Sequence, residues 1–266
     1  MKTTNLLLIS LALLAATGCK KNNNNEENVP QKDAAAKETL FADFSCQMKT
    51  ITGGPVTESW GPNNKLWTNG RTIKVRFISG EGTSFVRGKV QQYAKSWESS
   101  ANVTFQFVAD NAAADLTVGF KHNGDGGSWA YVGIDGRGQS QSVNFGWFDN
   151  NTSDEEFRRT TTHEFGHVLG LQHEQAHPDA NIPWNKDAVY AYYEGAPNFW
   201  TKDQIDFNVL WVGPRTGSNL LTYDKSSIMH YPVPARFTTN NVAIAANNTT
   251  ITATDAAYMK KYYPGR

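Results

Sequence analysis

The sequence predicts one domain of roughly 200 residues, of the α/β or α+β class, over the later part of the chain. Three observations predict it: several short β-rich runs, an amphipathic segment among them, and a longer helical segment that carries closely spaced histidines. Strands interrupted by helices fold into a twisted sheet with helices packed on it. The 14 Phe, 10 Tyr and 8 Trp residues supply apolar volume for a substantial core.

The strands and the first helix follow from the spacing of apolar residues. In TIKVRFIS (72–79), Ile73, Val75 and Phe77 alternate with polar residues, which is typical of a strand with one buried face. Apolar runs at 103–108, 115–120 and 142–148 predict three more strands. A helix is predicted over 85–97, with these residues along one face: Phe85, Val86, Val90, Tyr93, Ala94 and Trp97.

A second helix is predicted to begin at Ser153 and to stop at Gly170. Ser153 and Glu156 match a capping box, in which each side chain bonds the backbone N–H of the other residue. Gly170 is placed where a helix commonly ends in a left-handed turn, because glycine adopts that conformation without steric cost. The chain therefore reverses just after this helix.

Three of the six histidines lie between positions 163 and 173. His163 and His167 are four residues apart, so they project from one helical face on successive turns. The reversal after the helix brings His173 toward them, and three converging imidazoles are the ligand set of an open catalytic zinc site. Glu164 lies about 100° round the helix from His163, where a general base reaches a metal-bound water. We expect one Zn²⁺ ion per catalytic domain.

Two motifs carry a resemblance to a known family. HEFGHVLGLQH (163–173) resembles the metzincin signature HExxHxxGxxH, and the residue that follows it, Glu174, resembles the astacins within that group. SIMHY (227–231) resembles the astacin Met-turn. The resemblance runs from about Leu66 to the end of the chain. It implies an α+β, two-lobed domain: a twisted, mostly parallel sheet with helices in the N-terminal lobe, and a smaller irregular or helical C-terminal lobe.

The resemblance also implies a role for each motif residue in an astacin-like metalloendopeptidase that hydrolyses internal peptide bonds. It implies that His163, His167 and His173 bind zinc and that Glu164 activates a water molecule. Tyr231 resembles the tyrosine that ligates zinc at rest and then stabilises the oxyanion. Met229 would form an apolar floor beneath the site.

Two further resemblances leave alternatives open. The stretch GSWAYVG (127–133) resembles the edge strand along which metzincins align an extended substrate, and an ordinary strand with a packed Trp129 is the alternative. Glu174 is expected either to pair with the mature N-terminus, as the family implies, or to face solvent.

The N-terminal residues predict export. Residues 1–18 combine a basic start with an apolar run that is too short to span a bilayer, as in a signal peptide. Small residues before Cys19 resemble the bacterial lipoprotein cleavage box. We therefore expect a lipid on Cys19 and a location at the bacterial outer membrane or cell surface, with plain secretion as the alternative. Residues 19–39, rich in Asn, Lys and Glu, predict a flexible tether.

Residues 40–65 resemble a propeptide that precedes a catalytic domain at 66–266. A thiolate is a strong zinc ligand, so Cys46 is predicted to occupy the fourth zinc position of a zymogen. Asp43 is the competing carboxylate, and an inert thiol is the third possibility.

The formal net charge of zero favours neither nucleic acid nor an anionic membrane surface as a partner. We expect protein or peptide substrates, a monomer, and membrane attachment only through the lipid. The alternative function is a surface lipoprotein that keeps the zinc site but acts as a binding module. The intact Glu164 argues against this alternative.

Overall fold

The computed structural model describes residues 46–49, 65–214 and 222–266. The predicted signal peptide, tether, lipidated Cys19 and alternative ligand Asp43 lie outside these residues, as does most of the propeptide-like segment. Within the described ranges, no helix has both the length and the apolar character needed to cross a bilayer.

Six strands form one sheet in the order β1-β5-β6-β4-β2-β3. The pair of β5 and β6 is antiparallel and the other four pairs are parallel, as expected for a mostly parallel sheet. Their bounds are Cys46–Lys49 (β1), Thr72–Phe77 (β2), Thr104–Phe107 (β3), Leu116–Gly119 (β4), Ser128–Tyr131 (β5) and Val143–Asn144 (β6).

Five α-helices accompany the sheet in the described ranges: Ser84–Ala94 (α1), Asp154–Val168 (α2), Lys186–Tyr193 (α3), Lys202–Ile205 (α4) and Ala253–Tyr262 (α5). A 3₁₀ turn at Lys95–Ser99 extends α1, and a π-helical turn at Asp206–Leu210 extends α4. Shorter 3₁₀ turns lie at His122–Gly124, Gly133–Gly136, Glu174–Ala176 and Ala235–Phe237.

Two hydrophobic clusters confirm the two-lobed α+β architecture. The larger one lies between the sheet and helices α1 and α2, and includes Val75, Phe105 and Phe165. The smaller one joins α3, α4 and the segment around Tyr231 and Val233. The part of the chain that forms the second cluster consists mainly of short helices and turns. This matches the irregular or helical C-terminal lobe that the resemblance implied.

The alternating pattern of β2 is confirmed, whereas one helix residue was assigned wrongly. Ile73, Val75 and Phe77 are all buried. Phe85, predicted on the buried face of α1, is 49% exposed. It lies in the first turn of the helix, where one ring edge meets Phe157 at a centroid distance of 5.8 Å and the remainder faces solvent.

The predicted strand at 142–148 is much shorter in the structure, because β6 ends at Asn144. Just beyond it, the backbone of Gly146 passes so close to Gly126 that a Cβ atom would lie 2.1 Å from the Gly126 carbonyl carbon. The chain bends at this close approach. Phe145 and Phe148 then stack with ring centroids 4.6 Å apart inside the core.

Helix α2 begins where the sequence predicts, but with half of the predicted capping box. The Ser153 hydroxyl accepts a hydrogen bond from Glu156 N, at 3.2 Å. The Glu156 carboxylate does not return to the cap. It accepts hydrogen bonds from Arg159 and Trp147 instead, because both donors lie within its reach on the buried side of the helix.

The end of α2 makes the predicted reversal. Gly170 has φ +96°, and its N–H donates to His167 O at 2.8 Å. Leu171 N then donates to Gly166 O at 3.0 Å. These bonds close the helix and turn the following residues back across its last turn.

Gly166 lies at the contact between α2 and the C-terminal lobe. A Cβ atom here would lie 2.4 Å from Met229 Sδ and 3.2 Å from Trp97 Cζ2. Both neighbours are buried, so the glycine lets the helix touch the segment that carries Met229.

Gly166→Ala is therefore expected to lower the free energy of unfolding by about 1–3 kcal/mol through overpacking, and the melting temperature by roughly 3–10 °C. Differential scanning calorimetry measures the change. The matched control is Gly88→Ala on α1, where no neighbouring atom lies within 4 Å of the added Cβ, and it should be neutral or stabilising. Equal melting temperatures for the two variants would contradict the packing argument.

Candidate metal centre

Four buried side chains from three parts of the chain meet between the two lobes. The potential ligand atoms of Cys46, His163, His167 and His173 all lie within 4.8 Å of one another. Helix α2 supplies two of the imidazoles, the segment after the Gly170 turn supplies the third, and β1 supplies the thiol. The structure thus brings together the three predicted metal ligands and the predicted zymogen cysteine.

Backbone carbonyls orient two of the rings. His163 Nδ1 lies 2.8 Å from Ile228 O, and His167 Nδ1 lies 2.8 Å from Leu171 O. A carbonyl oxygen only accepts, so each Nδ1 donates and each Nε2 keeps a free lone pair. Such a bond on the remote ring nitrogen fixes the tautomer that a metal ion needs.

Helix α5 positions the carbonyl that holds His163. The Asp255 carboxylate accepts hydrogen bonds from Ser227 Oγ at 2.6 Å and from Ile228 N at 3.1 Å. Asp255 also forms a capping box with Thr252 at the start of this helix. The Met-turn is therefore anchored to the final helix, which the sequence reasoning had not included in the site.

The distance between two of the imidazole nitrogens is close to that expected for a tetrahedral zinc ion. His167 Nε2 and His173 Nε2 are 3.1 Å apart, and two nitrogens bound at 2.0–2.1 Å to one tetrahedral ion lie about 3.4 Å apart. His163 Nε2 is buried and has no hydrogen-bond partner among the described residues. A ligand set of nitrogens, with or without a thiolate, is typical of zinc.

Burial also favours the metal-binding form of the imidazoles. Burial and the neighbouring His167 hold the pKa of His163 well below its ordinary value. Burial lowers the pKa of His167 to about 4, and burial with the other two rings lowers the pKa of His173 strongly. All three rings are thus neutral at physiological pH, and each offers a lone pair.

Glu164 lies beside the imidazoles and is completely buried. Burial raises the pKa of its carboxyl group to about 8, against the opposing effects of the Cys46 thiol and the Arg159 guanidinium. Burial and the Glu164 carboxylate in turn raise the pKa of the Cys46 thiol. The Cys46 thiol on β1 is one of the groups that act on Glu164, so this pKa describes the state in which β1 occupies the cleft.

A half-buried ion pair lies one helical turn before His163. Arg159 donates two hydrogen bonds to Glu156, at 2.8 and 2.6 Å, and Thr160 Oγ1 donates a third at 2.7 Å. Neighbouring charges at Glu156, Cys46 and Glu164 raise the pKa of Arg159, although burial opposes them. This pair was not predicted from the sequence. In the sequence, the pair is visible only as a glutamate and an arginine three residues apart. This spacing is more often found on a solvent-facing helix surface, so it does not by itself indicate a contact near the site.

Tyr231 lies beside the imidazoles, and Met229 packs against the helix that carries two of them. The Tyr231 ring is buried, with its centroid 4.3 Å from that of His173 and 6.1 Å from that of His163. Its hydroxyl has no hydrogen-bond partner among the described residues. Met229 is buried against α2 at Gly166, and its role as an apolar floor stays a prediction.

Glu174 is tied to the backbone of the C-terminal lobe. Its carboxylate accepts a hydrogen bond from Asp224 N at 2.8 Å, and its own N–H donates to Met229 O at 3.0 Å. The side chain is half-buried. Both expectations for Glu174, a pairing with a mature N-terminus and a solvent-facing charge, stay predictions.

The chain's own β1 covers the strand that was expected to receive substrate. β1 pairs in parallel with β5, with Cys46 opposite Ser128 and Lys49 opposite Tyr131. On its other side, Met48 N donates to Asn208 Oδ1 at 2.9 Å. An extended segment thus lies in the cleft between the sheet edge and the C-terminal lobe.

Two residues of the cleft wall escaped the sequence analysis. Gln175 Nε2 donates to Asn208 O at 3.0 Å, and Gln175 Oε1 accepts from Tyr231 N at 3.1 Å. Asn208 lies in the π-helical turn after α4, and such turns are rare and often occur at functional sites. No motif marks Asn208 in the sequence, whereas the position of Gln175, two residues after the histidine motif, was a usable signal.

The comparisons with known proteins agree with this geometry. The model of the astacin family, peptidase family M12A, matches residues 61–261. The solved structure of myroilysin is 41% identical, covers 76% of this chain and 97% of its own, and has a TM-score of 0.69. High choriolytic enzyme 1, a hatching enzyme zinc protease from Oryzias latipes (medaka fish), is 20% identical, covers 79% and 98% of the two chains, and has a TM-score of 0.54, which indicates a shared fold alone.

Two curated relatives match over shorter stretches. Serralysin B from Dickeya chrysanthemi is 31% identical over 167 residues, which are 57% of this chain and 31% of that protein. Zinc metalloproteinase nas-36 from Caenorhabditis elegans is 25% identical over 164 residues, 60% of this chain and 23% of that protein. The chain spans less than a third of the length of these two relatives. The family model and the myroilysin match nevertheless cover most of it, and the chain belongs to the astacin family of zinc metallopeptidases.

Proposed function

We propose that the chain is a zinc endopeptidase that cleaves internal peptide bonds of protein substrates and is made as a zymogen. One observation carries the proposal: three neutral imidazoles face one point, with the Glu164 carboxylate beside them at the end of a cleft that holds an extended chain. Membership of a peptidase family supports it.

In this proposal His163, His167 and His173 hold zinc, which when bound polarises the scissile carbonyl and lowers the pKa of water. Glu164 takes a proton from the attacking water while the new C–O bond forms. It passes that proton to the amine nitrogen as the C–N bond breaks. The Tyr231 hydroxyl donates a hydrogen bond to the developing oxyanion.

We also propose that Cys46 is the inhibitory zymogen ligand. Its Sγ lies within 4.8 Å of the three imidazole ligand atoms, and β1 pairing fixes its position. Coordination requires loss of the thiol proton, and the nearby metal charge favours that loss. Cleavage between Cys46 and Leu66 would then free the fourth position for water.

For the location, we propose export and a lipid on Cys19, with a flexible tether that holds a monomeric catalytic domain near the membrane. The composition of residues 1–39 supports this arrangement. The rival function is a zinc-containing binding module. A protein that only binds its ligands needs no general base, so the presence of Glu164 argues against this rival.

His167→Ala is expected to lower bound zinc from one ion per chain to less than about a tenth of an ion after dialysis, because loss of even an outer-shell partner weakens zinc binding about 10–100-fold. Elemental analysis of the purified chain measures it. His122→Ala is the control, since His122 pairs with Glu81 and is not part of the cluster. Full zinc occupancy in folded His167→Ala protein would refute the assigned ligand set.

Glu164→Gln is expected to keep zinc but to lower kcat by about 10²–10⁴-fold on casein, because the amide cannot accept the proton. The measurement uses chain cut between Lys49 and Leu66, with and without a chelator. Unchanged turnover would rule out Glu164 as the base.

Tyr231→Phe is the companion variant, with an expected loss of about 10²–10³-fold in kcat and little change in KM. Unmodified, folded, zinc-loaded and cut chain that cleaves no substrate would instead favour the binding module.

Cys46→Ser is expected to make the uncut full chain more active by on the order of tenfold or more, because it weakens a tethered ligand whose effective concentration is about millimolar. Peptidase activity before any cleavage measures it, and Asp43→Asn tests the rival carboxylate. A Cys46→Ser precursor that stays as inactive as the parent shows that the latch assignment is wrong.

A further inference from the structure

Lys49, the last residue of β1, places its side chain over the ring of Trp129 on the neighbouring strand β5. Its Nζ atom is 3.3 Å from the centroid of the Trp129 ring. Burial lowers the pKa of the ammonium group, whereas the charge of Asp125 raises it. An aromatic face and a carboxylate thus both act on this one cation, and an ammonium over a tryptophan face is a favourable contact.

The Asp125 carboxylate is held in place by its own surroundings. Its Oδ2 accepts a hydrogen bond from Trp129 Nε1 at 2.8 Å, and its Oδ1 accepts from Gly127 N at 3.0 Å. The Asn144 amide on the neighbouring strand β6 donates to Asp125 O at 3.1 Å and to Gly127 O at 2.5 Å. All these bonds lie within the sheet and its adjoining loop, so the site does not depend on β1.

The segment that carries Lys49 occupies the cleft in an extended form. Its backbone pairs with β5 over four residues, and Met48 N bonds Asn208 on the opposite wall. Cys46, three residues before Lys49, lies at the metal centre. An extended peptide in the place of β1 would pair with β5 in the same way. Its side chain three residues from the metal centre would then lie near the Trp129 ring and the Asp125 carboxylate.

We propose that Trp129 and Asp125 form a substrate subsite for a basic side chain, within about three residues of the scissile bond, as set by the spacing of Lys49 from Cys46. The inference rests on the proposed peptidase function. In the zymogen Lys49 fills the subsite, and in the cut enzyme a substrate lysine or arginine takes its place.

A lysine scan of a quenched fluorescent peptide tests the subsite. Chain cut between Lys49 and Leu66 is given peptides with lysine, or N-acetyl-lysine of similar shape but without charge, at each of three positions on either side of the scissile bond. At one position lysine should raise kcat/KM by roughly 3-fold to 30-fold over acetyl-lysine, the range of a cation–π contact.

Two aspartate variants test whether the lysine preference arises at Asp125. Asp125→Asn should reduce the lysine preference at least threefold. Asp110→Asn should leave it unchanged, because Asp110 follows β3 at the opposite edge of the sheet. Asparagine keeps an acceptor for Trp129 Nε1, which limits disturbance of the fold, and equal melting temperatures check this.

Inhibition by a synthetic peptide of residues 44–51 gives a second readout. It measures binding to the subsite by a peptide that is not the cleaved substrate. Its Lys49→Gln form should inhibit the cut enzyme several-fold less well than the parent peptide, and Asp125→Asn enzyme should lose this difference. Cleavage of every scan peptide with no preference for lysine at any position overturns the subsite, whereas cleavage of none of them overturns the proposed function itself.

Discussion

The metal centre depends on two hydrogen bonds, those that Ile228 O and Leu171 O accept from the imidazoles of His163 and His167. Each bond selects the tautomer with a free Nε2, so without them the rings would rotate and the three lone pairs would no longer face one point. The two carbonyls come from different places. Leu171 follows the glycine turn at the end of α2, and Ile228 belongs to a turn that Asp255 anchors to the final helix. A helix motif therefore becomes a metal site only when the Met-turn and the final helix have packed against it.

The sequence predicted the parts of the site that local geometry determines. The i,i+4 spacing of His163 and His167 and the left-handed turn at Gly170 are properties of one helix and its end, so their pattern is readable from a short stretch. The alternation in β2 is equally local. The resemblance to the metzincin motifs added Tyr231 and Met229, which no spacing rule would have brought to the same place.

The errors and omissions concern contacts between distant segments. The strand at 142–148 ended early because Gly146 approaches Gly126, and Glu156 left its cap because Arg159 and Trp147 offered stronger partners. Asn208 reaches the cleft from a π-helical turn that has no sequence signal of its own. Each of these outcomes is decided by which side chains meet in the folded chain, and a single sequence does not contain that information in a local form.

The contact of Gly166 with Met229 also ties the metal ligands to the packing between α2 and the Met-turn. Because the bond between His163 and Ile228 spans the same contact, any separation of the two segments would also release a metal ligand from its carbonyl. The groove between β5 and Asn208 holds four residues of β1 as a single extended strand. A peptide that lay in this groove would therefore be held along its backbone, as one more strand of the sheet.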